Sequence, residues 1–412
     1  MESEKGSAYR WPVFVSTLLS YIFDNYDNVI LAISMPVLIS VLQISYAQGG
    51  LLLSVTMVGA ALGSIILGTI AENKGRRFAL ILSLVMFGIG TGLVAFIDDW
   101  FHWMILRFFT GIAIGGVWGP CVALVMEHWS PAYQSRVTSL VLSMFAVAFI
   151  FASLAGRIFL AIDWRILFFI GTTSILVAIY TYVFVPKDNI QAGGISGVQQ
   201  KEKITIANSF RGQTLKRVIM GTILVFFSLG GFWGAATWIP TFLIKERGLD
   251  LMTMANFSIL TYVGMFIGYQ VFGFFGDKIG RKKSILVSIV LCVIAIPLYV
   301  FIHNGQFLFW WGAVVGFAMS GPFGVVGAYF SELFPEKIRA LAGGFCFNMG
   351  RVGAILMPFT VGALGQIYGL EFGIGITAVM FGCCGIVLCF MPETFRVQNQ
   401  NEPVEGSTVS EP

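Results

Sequence analysis

The stretch GTIAENKGRR, residues 68–77, returns as GFFGDKIGRK at residues 273–282, an offset of 205. Both strings fit G-x-x-x-[DE]-x-x-G-R-[KR], and each follows a long apolar run. A second pair keeps the same offset: Glu127, ahead of Pro131 and Arg136, and Glu332, ahead of Pro335 and Arg339. Two motifs recurring at one offset imply that the chain is two copies of one unit.

Composition places that unit in a membrane. The chain is 57% hydrophobic and 15% aromatic with 11% charged residues, and its mean hydropathy is +0.84. A soluble domain carries about a quarter charged residues, and no water-soluble interior could hide this much apolar sequence. Apolar runs of about 18 residues or more read as membrane-spanning helices. Twelve are predicted, over about 13–42, 49–71, 78–97, 103–126, 137–162, 165–185, 218–243, 253–275, 284–302, 306–331, 340–364 and 370–390. The expected fold is therefore an all-α integral membrane protein of twelve spans in two pseudo-symmetric six-helix bundles. Residues 1–185 form the first bundle, 186–217 a cytoplasmic linker, 218–391 the second bundle, and 392–412 a disordered cytoplasmic tail.

Lysine and arginine set the direction. With the N-terminus inside, nineteen of them lie in inner segments, while outer segments hold only Arg165, Lys245 and Arg247. Both termini are expected in the cytoplasm and the protein in the cell (inner) membrane. A net charge of +4 without a concentrated basic face argues against nucleic-acid binding. The six cysteines lie in apolar runs without metal-ligand spacing and read as packing residues. No nucleophile–base pair or P-loop supports an enzyme. Neither a cofactor nor a metal is expected.

The paired loops, twelve spans and long central linker resemble the major facilitator superfamily, over nearly the whole chain. That resemblance implies that Glu72, Arg76, Glu127, Arg136, Asp277, Arg281, Glu332 and Arg339 form charge relays that gate the inner side. Glu72 stands where the family usually has aspartate, which implies a weaker or differently spaced first latch. The strings RFFTGIAIGGVWGPCVALVMEHWSPAYQSR (107–136), DWRILFFIG (163–171), WIPTFLIKERGL (238–249) and SELFPEKIRALAGGFCFNMGR (331–351) resemble the metabolite:proton symporters. Within that group the resemblance is to the sialate, monocarboxylate and aromatic-acid branches. Many of these carry glutamate after the paired glycines of span 4, where this chain has Val117. That departure moves the burden of proton coupling to the first span.

Span 1 contains YIFDNYDNVILAISMPVL, residues 21–38, with two acids three positions apart. Intramembrane charges are costly and tend to be functional. Asp24 lies eleven residues into the span, about 16 Å at the helical rise, which is near the midplane. Arg351 lies equally deep in span 11. Asp27 sits one turn further out, close to the height of Arg107. Asn25-Tyr26-Asp27 and Arg107–Gly111 resemble the GYD and R-x-x-x-G motifs of sugar porters, which implies an Asp27–Arg107 pair. Two carboxylates one turn apart in a low dielectric resist ionising together, so Asp24, Asp27 and Arg107 are the proton-coupling candidates. A purely structural salt bridge is the competing reading.

Arg351 offers a planar fork that matches a carboxylate. Asn348 shares its face, and Trp118, Trp233 and Tyr262 lie at middle depth, so these are the substrate-binding candidates. Arg157 reads as a snorkelling residue, and Glu371 as solvated at the outer boundary. The predicted function is proton-coupled uptake of a small organic anion by alternating access, with protons, that substrate and the lipid bilayer as partners and a monomeric protein. Sugar or polyol symport is the alternative. It is favoured by Asp27–Arg107 and the tail Pro392-Glu393-Thr394, and disfavoured by Val185-Pro186-Lys187-Asp188 in place of P-E-S-P-R. Drug antiport is less favoured, because span 5 lacks G-x-x-x-G-P.

Overall fold

A backbone in hydrocarbon must satisfy its own polar groups, and a helix does so within one segment. The computed structural model describes residues 10–129, 131–187, 211–335 and 338–394, and all regular structure among them is helical. Eleven helices are long and apolar enough to cross a membrane: Arg10–Val41, Tyr46–Lys74, Arg76–Phe96, Trp100–His128, Arg165–Phe184, Gly212–Lys245, Leu251–Ile279, Arg281–Phe301, Gly305–Leu333, Leu341–Tyr368 and Leu370–Cys389. Pro131–Phe159, a helix of 29 residues, completes the series. Numbered in chain order these are spans 1 to 12, as expected of the all-α membrane fold.

Three spans that read as continuous in sequence are interrupted. Span 4 breaks at Gly116–Val117. Pro120 lies four residues beyond Gly116; it has no N–H to give that carbonyl, and its ring crowds it. Span 6 breaks at Thr173, whose hydroxyl bonds back to Ile170 O at 2.6 Å. Span 11 breaks at Arg351, between Arg339–Gly350 and Val352–Tyr368.

The repeat extends beyond the loops into the packing. Span 2 lies against span 4, and span 8 against span 10. At Gly59, Gly63 and Gly111 the carbonyls of Phe108, Ile112 and Thr56 stand where a Cβ would be. At Gly264, Gly268 and Gly316 the carbonyls of Ala313, Phe317 and Thr261 do the same. Each residue of the second set lies 205 positions after its counterpart in the first. Small residues let two backbones approach without a hydrophobic driving force between helices, which lipid does not provide.

The halves meet through span 2 against Val352–Tyr368 of span 11, span 5 against span 8, and span 1 against span 7. Tyr46 N donates to Gln366 Oε1 at 2.9 Å across this seam, and the Tyr46 and Trp238 rings lie 5.6 Å apart. These contacts lie away from the face that carries Arg76 and Arg281.

The tail was expected to be disordered from Pro392, but its first residues are held in place. Tyr329 OH donates to Pro392 O at 2.7 Å. Glu393 accepts from Lys282 N and Lys283 N at 3.2 and 3.3 Å, capping the start of span 9. Thr394 Oγ1 donates to Glu332 Oε2 at 2.5 Å.

Candidate functional site

Four spans of the first half converge on one ion pair. Asp27 from span 1 and Arg107 from span 4 are both 0% exposed, with Arg107 Nη2 2.7 Å from Asp27 Oδ2. Thr91 Oγ1 of span 3 donates to Asp27 Oδ1 at 2.8 Å. Arg107 Nε donates to Thr56 Oγ1 of span 2 at 3.1 Å. Arg107 Nη1 has no hydrogen-bond partner among the described residues. Isolated charges could not stay here; contact between the two charges, helped by two threonine hydroxyls, offsets part of the desolvation cost.

Asp24, one turn earlier, is also buried but is placed differently. Among the described residues its Oδ2 meets only Asn25 Nδ2, at 3.4 Å, and its Oδ1 has no partner. Asp27 and Arg351 are its charged neighbours. Arg351 stands half-buried at the break of span 11, with Asp24 and Tyr21 as electrostatic neighbours. Its side chain makes no ion pair or hydrogen bond among the described residues. A carboxylate of one half and a guanidinium of the other are thus electrostatic neighbours with no ion pair between them among the described residues.

Around them lie rings. Trp118 is 37% exposed and packs on Tyr21 at 5.3 Å between centroids. Phe149 of span 5 meets Tyr262 at 4.7 Å and Trp233 at 6.4 Å. Phe145 joins Phe149 at 4.4 Å and Tyr269 at 6.4 Å. Asn348 is exposed and donates its amide to Gly344 O at 3.0 Å, within its own helix. Sequence reasoning missed Tyr21, although its place three residues before Asp24 on the same helical face was a usable signal. It also missed Tyr269, an electrostatic neighbour of Tyr21, for which no local pattern speaks.

On the basic face the motif residues pair within each half. Arg76 pairs with Glu127, and Arg281 with Asp277. Arg281 Nε also stands 3.1 Å from Glu332 Oε1. Glu72 is exposed and makes no ion pair among the described residues. Arg339 is exposed. The Arg136 side chain lies outside the described residues. Of the ions on the opposite face, Glu371 is not simply solvated: it lies 2.7 Å from Arg247 Nη1. Burial of Arg247 among helix-end carbonyls explains this, since Arg247 also donates to Ile302 O at 3.1 Å and to Val300 O. Arg165 similarly donates to Ala95 O at 2.9 Å. Arg157 is exposed.

A family model of the Major Facilitator Superfamily matches residues 17–269 and again 256–411. The chain belongs to the Major Facilitator Superfamily. It is a multi-pass membrane transporter and not an enzyme. Among similar curated members is the cis,cis-muconate transport protein of Acinetobacter baylyi, 26% identical over 407 residues, covering 97% of each chain. The benzoate transport protein of the same organism is 26% identical over 442 residues, covering 98% of this chain and 94% of that one. The sialic acid transporter NanX of Escherichia coli is 25% identical over 376 residues, covering 90% and 92%. These names agree with the resemblance to metabolite:proton symporters. Among solved structures, the bacterial homolog of the human lysosomal transporter Spinster, inward-facing and occupied, superposes with a TM-score of 0.77 at 15% identity. It covers 92% of this chain and 96% of that one.

Proposed function

We propose that the protein is a proton-coupled importer of a small organic anion bearing a carboxylate, working as a monomer by alternating access in the cell inner membrane with both termini cytoplasmic. The observation that carries this reading is the contrast between the two aspartates. Asp27 is neutralised by Arg107 within one half. Asp24 and Arg351 are left to each other across the seam, with no contact between them. Arg351 receives the substrate carboxylate, because guanidinium stays charged and fits that group with two parallel donors. A bound anion removes the attraction that keeps Asp24 ionised, and Asp24 then takes a proton. Trp118, Trp233 and Tyr262 border the substrate, and Asn348 flanks Arg351 by one turn. Asp27 and Arg107 hold span 1 in register for that exchange. The relatives named for muconate, benzoate and sialic acid support a carboxylate. The Arg76–Glu127 and Asp277–Arg281–Glu332 clusters, with Glu72, Arg136 and Arg339 at their margins, gate the basic face.

Uptake into proteoliposomes under an imposed pH gradient tests this, with labelled cis,cis-muconate, benzoate, sialic acid and D-xylose as probes. Wild-type protein accumulates at least one carboxylate, and collapse of the gradient stops it. Arg351→Lys lowers kcat/KM for that carboxylate at least about tenfold, since a point charge replaces the fork. Asp24→Asn keeps exchange across the membrane but loses accumulation driven by the gradient. Accumulation of xylose indifferent to Arg351→Lys would overturn the anion assignment. Gradient-driven uptake surviving in Asp24→Asn would overturn the proton site.

A further inference from the structure

Asn28 lies one helical turn after Asp24, on the same face of span 1, and is 5% exposed. Its Nδ2 donates to the Asp24 main-chain carbonyl at 3.2 Å. That bond fixes the amide's orientation: a flip would press Oδ1 against a carbonyl oxygen. Asn28 Oδ1 is consequently an acceptor held over the turn that carries the Asp24 carboxylate. Among the described residues it has no donor, and neither has Asp24 Oδ1. Two buried acceptors on neighbouring turns, both unpartnered, are an arrangement that folded proteins avoid. A second acceptor cannot relieve the first.

One proton removes both deficits. Protonated Asp24 has an O–H to give, and the Asn28 carbonyl oxygen is the free acceptor on its face. We propose that Asn28 is the positioning residue for the transported proton, accepting a hydrogen bond from the Asp24 carboxylic acid and releasing it when Asp24 ionises toward Arg351. This rests on the assignment of Asp24 as the proton site and goes beyond it. The step moves one proton onto a carboxylate oxygen and off again; no covalent bond to carbon changes. The groups facing Asp24 from all sides bear on its charge. Tyr21 and Asp27 lie on its own helix, Cys121 on span 4 and Arg351 on span 11. Tyr269 of span 8 lies beyond Tyr21, and Arg107 is already committed to Asp27. Asn28 differs from these neighbours in offering a buried, uncharged carbonyl oxygen with no donor among the described residues. The neutral acid is therefore stabilised without a competing ion.

Infrared difference spectroscopy on the whole purified protein, titrated with acid, reads this directly and needs no substrate. Wild type shows the carbonyl stretch of a protonated carboxylic acid at a hydrogen-bonded frequency, and Asp24→Asn removes that band. Asn28→Val moves the band to the higher frequency of an acid without an acceptor. Asn28→Ser, whose shorter side chain cannot reach, does the same and replaces Val should that variant fail to insert. A band that Asp24→Asn abolishes but both Asn28 variants leave in place would overturn the role of Asn28 while the proton site stands. A band indifferent to Asp24→Asn would overturn the proton site itself. Loss of the acid band on adding sodium chloride at constant pH, in wild type but not in Asn28→Val, would assign the paired oxygens to a sodium ion and overturn the proposal.

Discussion

The two halves share a frame and differ in what it carries. Gly111 and Gly316 are equivalent by the offset of 205, and each lies against the carbonyl of an equivalent threonine, Thr56 or Thr261. In the first half Thr56 Oγ1 accepts from Arg107, which holds Asp27. In the second half the positions of Arg107 and Asp27 are Gly312 and Phe232. Thr261 there bonds only back to Phe257 O, at 2.9 Å, and the Tyr299 ring faces Gly312. The place of the ion pair is an apolar recess lined by Phe232, Thr261, Tyr262 and Met319. The deep cation is distributed the opposite way: counted from Arg339 and Arg136, Arg351 of the second half corresponds to Ala148 of the first. Duplication kept the backbone contacts, which every span needs in order to pack. Single side chains then diverged, so the buried acids Asp24 and Asp27 stand in one half and Arg351 in the other.

That contrast can be broken experimentally, most forcefully at the buried pair. Arg107→Leu strands Asp27 in a dry interior and should cost about 3–5 kcal/mol, seen as a lower melting temperature in detergent. The double variant Asp27→Leu with Arg107→Leu makes the first half as apolar as the second. It should recover most of that loss yet show no uptake driven by a pH gradient. Full uptake by the double variant would show that the pair is not needed to hold span 1 in register for the exchange. The shared frame predicts symmetry where the chemistry does not: Gly111→Ala and Gly316→Ala should each destabilise by about 1–3 kcal/mol, and by similar amounts, because each drives a Cβ into a backbone carbonyl.

Smaller effects sharpen the comparison on the basic face. Glu332 holds Arg281 and Thr394, whereas Glu127 holds Arg76. Glu332→Gln should therefore cost about 1 kcal/mol and Glu127→Gln less, measured side by side by thermal unfolding. Glu72→Asp restores the acid that Asp277 supplies in the second half, and should add about 0.3–0.5 kcal/mol through a new i,i+4 pair with Arg76.

Depth along a helix made part of the site legible. Counting residues from the ends of spans 1, 4 and 11 placed Asp27 level with Arg107, and Asp24 level with Arg351, since helical rise converts sequence directly into height. Rotation about the axis and approach across the seam have no such conversion. Phe149 reaching Tyr262, and Tyr21 reaching toward Tyr269, depend on how span 5 leans on span 8 and span 1 on span 7. The unpartnered oxygen of Asn28 was equally invisible, because it depends on which way one amide points. The docking of Pro392–Thr394 was read as a loose tail because three polar residues have no periodicity; it exists because span 9 opens with backbone N–H groups that Glu393 can cap.

The sequence by itself determined the number of spans, the duplication, the family and the heights of the charges. All of these follow from apolar run length, a recurring motif and a fixed rise per residue. Only the tertiary structure decided which charges touch. Asp27 and Arg107 come together in the dry interior of one bundle, where an unpaired charge could not remain. Asp24 and Arg351 belong to different halves, and although each is an electrostatic neighbour of the other, they form no ion pair among the described residues.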